Sequence, residues 1–361
     1  MKASSVVLGL ALVLPAAGRE ILHADFEADP PGPYSRATCA KSFPGVTWDN
    51  GLTGQSRVSV VAGGDTAGGG HALRVFYPAK SLGPSGTGGA LPSGAQWPSV
   101  FGGVADTLYS SYRVFFPTGF DWVKGEKLPG LCGDSCITGG NLPTGTNGWS
   151  ARLMWRANAS LVQYVYAAGQ GGKYGTDVVW KSGGQPLVVE TGKWHQVQVK
   201  ICLNTPGTNG SQGRYDGRVM GWYDGVLALD TIGFRFRDRA GMHIDQFYFS
   251  TFYGGGTTDF ESLQDNRIFF DDFAVSDSMI RSPAARVPRP VSARPGNRLL
   301  GRTLKLVPGQ VGSLEVRNLF GRELAAIALQ PDQVNLPRDL PRGLVALAIP
   351  SSGWSALAMV P

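Results

Sequence analysis

The stretch WSARLMWRANASLVQYVY, residues 149–166, decides how this chain is read. At a period of two, Ser150, Arg152, Met154 and Arg156 share one face, while Trp149, Ala151, Leu153 and Trp155 share the other. A second alternating run follows and puts Tyr164 and Tyr166 on one face. The tryptophan face has the character of a core. The opposite face collects cations, a hydroxyl and two phenols, which a purely structural sheet has little reason to gather.

Working outward, the same period recurs. Strands are expected in ILHADFEAD (21–29), HALRVFYPA (71–79), TLYSSYRVFFP (107–117), KWHQVQVKICL (193–203), RVMGWYDGVLAL (218–229), DQFYFSTFYGG (245–255) and RIFFDDFAVS (267–276). Asp224-Gly225 lies between two apolar runs and signals a hairpin turn. With 51 Gly, 24 Pro and 42% hydrophobic residues in 361, and no long apolar stripe at helical spacing, the fold class is all-β. The regular spacing predicts a two-sheet antiparallel β-sandwich, a jelly roll, over residues 19–280.

The ends of the chain differ from this. Residues 1–18 combine Lys2, an apolar run from Val6 to Leu14, and then Pro15 and small residues. The run is too short to span a bilayer and has the pattern of a signal peptide, so a secreted or cell-surface protein without a membrane span is expected. Residues 281–298 are rich in proline and arginine and predict a semi-extended linker. Residues 299–361 contain short apolar runs expected to form a small β-sandwich module used for sorting, attachment or binding.

The net charge of +6 is unevenly placed. Residues 19–280 carry 21 Lys+Arg against 23 Asp+Glu, whereas 281–361 carry 11 against 4. The basic excess therefore belongs to the C-terminal part and does not mark the main domain as a nucleic-acid binder. Of the four cysteines, the close pair in LCGDSC suggests a Cys132–Cys136 disulfide, leaving Cys39 and Cys202 as a second pair. The Cys-x-x-x-Cys spacing has no companion ligands, so no metal or cofactor is expected.

Familiar hydrolytic and phosphate-binding motifs are missing, and the four histidines are scattered. Asp271 and Asp272 are adjacent and would point to opposite faces of a strand, so the paired carboxylates of a retaining glycosidase are not found. Lys124 and Lys127 in FDWVKGEKLPGLCG, a Gly/Pro-rich turn, would singly be solvated groups. Arg152 and Arg156 would singly be surface charges, and Tyr164 and Tyr166 ordinary strand aromatics. Together they fit β-elimination from a uronic acid polymer. That reaction removes a proton next to a carboxylate and expels the C4 oxygen. Cations at the carboxylate stabilise the enolate, arginine binds it in bidentate fashion, and tyrosine moves the proton. Neighbouring cations are expected to lower the tyrosine pKa.

SYRVFFPTGFDWVKGEKLPGLCG, WSARLMWR, YVY, FSTFYGG and IFFDDFAVS, in this order, resemble the family 14 polysaccharide lyases, which include alginate and glucuronan lyases on a jelly roll. The resemblance covers about residues 20–277. It implies that Lys127, Arg152, Tyr164 and Tyr166 are catalytic and that Ser150 belongs with them. Lys124, Arg156 and Tyr253 are further candidates for substrate binding. One departure is Glu126 in KGEKLPG, where the family often has glycine. Another is the long Gly/Ser-rich segment 82–99, expected to shape the cleft. GSLEVRNLFGRELAAI and LPRGLVALAIPSSG resemble the C-terminal sorting domains of the bacterial type nine secretion route, which implies secretion machinery or surface attachment as a partner. The resemblance thus implies a lyase acting on an anionic polysaccharide. A non-catalytic glycan-binding module and a glycoside hydrolase on the same fold are the alternatives.

Overall fold

The structure is a computed structural model. It describes residues 18–52, 54, 56–62, 70–102 and 105–280, and the strand segments of the C-terminal part. The expected signal peptide lies outside the described residues but for Gly18. The linker does likewise but for Arg298, which opens a strand.

Two antiparallel sheets make the main body. The outer sheet runs Val226–Phe234, Gly217–Tyr223, Trp194–Cys202, Thr107–Phe115, Asn266–Ser276, His71–Tyr77, Val58–Ala62 and Gly32–Pro33, with Glu20–Ala24 added on Asn266–Ser276. The inner sheet runs Thr176–Val179, Leu161–Tyr166, Gly148–Arg156, Gly125–Asp134, Gln246–Thr251 and Ala95–Val100. Beyond residue 297, short strands form a three-stranded and a four-stranded sheet. The fold is nearly all-β; among the described residues there is one α-helix, Arg36–Ser42, capped by Ser35, whose Oγ accepts from Thr38 N at 3.1 Å.

The core lies between the sheets and is dense in aromatics. Trp149, Ala151, Leu153 and Trp155 are all fully buried, as their parity requires. Phe249 of the inner sheet meets Phe270 and Phe273 of the outer sheet at 5.4 and 5.8 Å between ring centroids. The Asp224-Gly225 hairpin forms with φ of +50° and +79°, the left-handed pair that such a two-residue turn needs.

Three expectations are corrected. FDWVKGEKLPGLCG does not remain a turn, because Gly125–Asp134 forms a ten-residue strand in the middle of the inner sheet. Pro129 is accommodated at a register shift between Leu128 and Gly130, the kind of irregularity that tolerates proline inside a sheet. The segment 82–99, expected to shape the cleft, runs into Ala95–Val100, the edge strand of the inner sheet.

Cys132 and Cys136 are bonded, but Cys39 and Cys202 remain free. Cys39 sits on the helix beside Glu20–Ala24, whereas Cys202 ends Trp194–Cys202. The path between them crosses Asn266–Ser276 and Thr107–Phe115, about 14 Å of strand spacings, far beyond disulfide reach. Asp271 and Asp272 do not diverge. A bulge there, with Asp272 at φ +52°, brings both carboxylates to Arg113 Nη1, at 3.7 and 3.4 Å. Asp271 lies on the outer sheet beside Phe269, on the side away from Phe270 and the core, so it is remote from the inner sheet.

Candidate active site on the inner sheet

Strand pairing places the candidate residues in rows across the face of the inner sheet that points away from the core. One row runs Tyr166, Ser150, Cys132 and Gln246. The next runs Asp177, Tyr164, Arg152, Gly130 and Tyr248. A third holds Val162, Met154 and Lys127. Lys127, Arg152, Tyr164 and Tyr166, named from the sequence, therefore stand on one floor. The alternation hid one fact: this face is buried almost as deeply as the core.

Arg152 is only 2% exposed. Its Nη1 donates to Ser250 Oγ at 2.8 Å, and its guanidinium carbon lies 5.4 Å from the centroid of Tyr248. Its Nε has no hydrogen-bond partner among the described residues. Burial works against its charge, and among the described residues no carboxylate pairs with it. A buried guanidinium without a carboxylate is costly, which suits a site that receives its counter-ion from a ligand. Tyr248 Oη donates to Gln96 Oε1 at 2.6 Å, and Gln96 Nε2 donates to Asn50 Oδ1 at 2.7 Å. At the margin, Trp48 is 42% exposed and packs edge-on against Tyr248 at 6.1 Å.

Lys127 Nζ stands 5.3 Å from the ring centroid of Tyr164 and 5.9 Å from that of Phe252. Burial, with Arg152 and Arg156 adding repulsion, brings its ammonium down to about 8, while Glu126 opposes the shift. The tyrosine rings meet at 90° with their oxygens 3.5 Å apart. Gly175 N donates to Tyr164 Oη at 3.1 Å, and Gly140 N donates to Tyr166 Oη at 3.2 Å. A methyl group at Gly175 would stand 2.8 Å from the Tyr166 ring and 3.1 Å from that of Tyr164, so this loop can lie on both rings only as glycine. The expected lowering of the tyrosine pKa is not found at Tyr164. Burial and the Tyr166 phenol raise it, and the Gly175 amide and Arg152 do not overcome them.

The other candidates divide. Arg156 forms a two-pronged ion pair with Asp177 and lies 5.5 Å from the Tyr164 ring, at the edge of the floor. Ser150 is turned to a structural task, its Oγ donating to Ile137 O at 2.6 Å and so fixing the chain beyond the Cys132–Cys136 bridge. Lys124 pairs with Asp259 on an exposed surface and over the Phe260 ring, away from the tyrosines. Tyr253 leaves the site: it is fully buried, its Oη donating to Asp121 O at 2.6 Å while its ring packs on Tyr77 and Trp155. Sequence reasoning missed Tyr248 and Ser250, although the alternation of QFYFST, with Phe247 and Phe249 in the core, places both on the site face. A cavity of about 240 Å³ lined by Tyr215, Arg235 and Gln170 lies elsewhere; the site is a floor and not that hole.

Among the described residues no cluster of three or more His, Cys, Asp or Glu side chains is arranged to hold a metal ion. What the site offers chemically is a buried arginine and a half-buried lysine beside two hydrogen-bonded phenols.

The comparisons fit this geometry. Alginate lyase Aly36B superposes with a TM-score of 0.58 at 25% identity, covering 70% of this chain and 95% of its own. The family 14 alginate lyase of Aplysia kurodai, at 22% identity and a TM-score of 0.56, covers 71% and 98% and shares the fold. The alginate lyase vAL-1 of Chlorella virus, at 19% identity and 0.51, covers 64% and 92% and shares it too. No curated protein sequence matches the chain. The family described as Polysaccharide lyase 14 matches residues 65–273, the span that carries the whole floor from Lys127 to Ser250, and the chain belongs to that family of lyases.

Proposed function

We propose that this lyase cleaves a polyuronate, alginate or glucuronan, by β-elimination using side chains alone. The observation that carries the reading is the buried Arg152, held by Ser250 and Tyr248 without a carboxylate of its own, on one floor with Lys127 and the tyrosine pair. Arg152 and Lys127 take the uronate carboxylate and stabilise the charge that develops on it when the C5 proton leaves. The tyrosine pair takes that proton and returns one to the departing C4 oxygen. Structures of Aly36B variants, one with a lysine and a tyrosine replaced by alanine and one with a lysine and a methionine replaced, hold an alginate tetrasaccharide and trisaccharide. The same three residue types stand together here as Lys127, the tyrosine pair and Met154, which supports alginate as the first substrate to try.

The N-terminal pattern and the Cys132–Cys136 bridge support export of the enzyme, with the C-terminal strands serving sorting or surface attachment. The test of the activity is a panel of anionic polysaccharides followed by the ultraviolet absorbance of the unsaturated uronate end. Absorbance should rise on alginate or glucuronan, and Lys127→Ala should abolish the rise with the fold intact. A flat response across the whole panel would remove the reading.

A further inference from the structure

The cavity set apart from the floor has chemistry of its own. Ala168 N donates to Arg235 O at 2.9 Å and joins the end of the tyrosine strand to the edge strand of the outer sheet. The space of about 240 Å³ at this junction is walled by Val165 and Thr176, which pair in register, and by Gln170, Tyr215 and Arg235. Of the residues that line it, Arg235 alone is charged. Arg235 is 6% exposed, and its Nε and Nη1 make no hydrogen bond with a described residue. Asp238 Oδ1 lies 3.6 Å from Nη1, too far for one, and already accepts from Gly213 N at 2.9 Å; Asp238 does not line the cavity.

Two further groups complete the set. The Arg235 guanidinium carbon lies 5.4 Å from the ring centroid of Tyr215, a residue 55% exposed, so the ring offers surface to a ligand. Gln170 Oε1 is buried without a donor, while its Nε2 donates to Gly172 O at 2.9 Å and Tyr174 O at 3.1 Å. Unused donors, an unused acceptor and an exposed aromatic ring thus converge on one small cavity. An apolar ligand would leave both polar side chains unpaired. An inorganic anion would use the guanidinium and leave the Gln170 carbonyl facing negative charge. A sugar acid uses all three: its carboxylate accepts from Arg235, a hydroxyl donates to Gln170, and its ring lies against Tyr215. Pockets that enclose drug-sized ligands measure about 300–1,000 Å³, so this smaller space suits one sugar ring and not a chain.

We propose that this cavity is a second carbohydrate site that takes one uronate unit, its carboxylate on Arg235, its ring face on Tyr215 and a hydroxyl on Gln170. That a polyuronate supplies the unit rests on the lyase reading. The site touches no residue of the floor's proton chemistry, so it adds a grip on the polymer apart from the bond that is cut.

The experiment uses the full chain carrying Lys127→Ala, so that nothing is turned over, with its arginine side chains labelled with nitrogen-15. The Arg235 Nε–H signal is the one missing from Arg235→Gln; if that variant fails to fold, it is the signal that moves when Tyr215→Ala removes the ring beside the guanidinium. A saturated alginate disaccharide should shift this signal in a saturable way. Tyr215→Ala, at an exposed position, should weaken the binding about fivefold, the scale of one lost aromatic contact. Cellobiose and sodium acetate at the same concentration should leave the signal in place. A signal unmoved by the disaccharide overturns the proposal. An equal response to acetate would reduce the cavity to a small-anion hole, and an equal response to cellobiose would take the carboxylate out of it; either result overturns the proposal too. The lyase reading is judged separately: a wild type inert on every polyuronate, with the Arg235 shift present, would sink that reading and leave the site, and an active wild type with a silent Arg235 would do the reverse.

Discussion

Tyr164 and Tyr166 hold their phenolic oxygens 3.5 Å apart on perpendicular rings, each oxygen also accepting a backbone N–H from a different loop glycine. On the proposed reading the two phenols act as one proton-handling unit. Replacing either by phenylalanine should lower kcat by about 100-fold or more, the usual contribution of general acid–base groups, with a smaller change in KM. A double variant no worse than the worse single one would show the unit behaviour. Full activity in both single variants would take the tyrosines out of the reaction.

Lys127 gives the pH dependence. Its folded value is lowered to about 8, so the ammonium is present below that pH and lost above it. The sign for stability is opposite to that for activity. Between about 8 and the ordinary lysine value of 10.5, the unfolded chain holds the proton more tightly, so the fold gains stability as the pH rises while substrate capture declines. An alkaline limb of kcat/KM near pH 8 is the expected result, and a rate that stays level well above that pH would take the Lys127 charge out of substrate capture.

Trp48 stands at the rim against Tyr248, which in turn lies beneath Arg152. A pyranose ring stacked on its exposed face would extend the grip on the polymer beyond the reacting sugar. Trp48→Ala should raise KM for long substrate several-fold and leave kcat nearly unchanged, and the effect should shrink for the shortest cleavable oligosaccharide. An equal loss on short and long substrates would place the role of Trp48 in folding and not in binding.

On the outer sheet, burial and the neighbouring Asp272 raise Asp271 to about 8, with Arg113 opposing. A carboxyl raised in the fold contributes stability at low pH and loses it as the pH rises through its folded value. Asp271→Asn keeps an acceptor for the Asp272 amide and removes the charge. Its Tm should match the wild type near pH 5 and exceed it by several degrees near pH 9, given that ~1 kcal/mol moves a domain of this size by ~2–4 °C. A difference that does not grow with pH would count against the shared burden of the two aspartates.

How much of this the sequence could reveal depends on whether a segment keeps the period of two. WSARLMWR and LVQYVY keep it, and the core and site faces follow from parity alone. GEKLPGLCGD breaks it with Gly125, Pro129, Gly130 and Gly133, so a central strand passes for a turn. Asp271 and Asp272 mislead because a bulge inserts one left-handed residue, and parity arguments fail on either side of it. Tyr253 misleads for a different reason. Composition marks it as a ring able to stack on sugar, and only the packing shows it closed off by Tyr77, Trp155 and Asp121. Local pattern carries the site where neighbouring strands fix it, and loses it where tertiary contacts choose between two uses of one side chain.

The rows across the floor set a ruler. From Asp177 through Tyr164, Arg152 and Gly130 to Tyr248, each step moves to the next strand, about 4.8 Å away. A chain of sugars laid across the strands would meet a new side chain at every step, and one laid along them would meet one only every second residue. The tryptophans beneath hold the spacing whatever stands above them. Exchange of single residues in a row could then retune which sugar is accepted at which step while the scaffold beneath stays as it is.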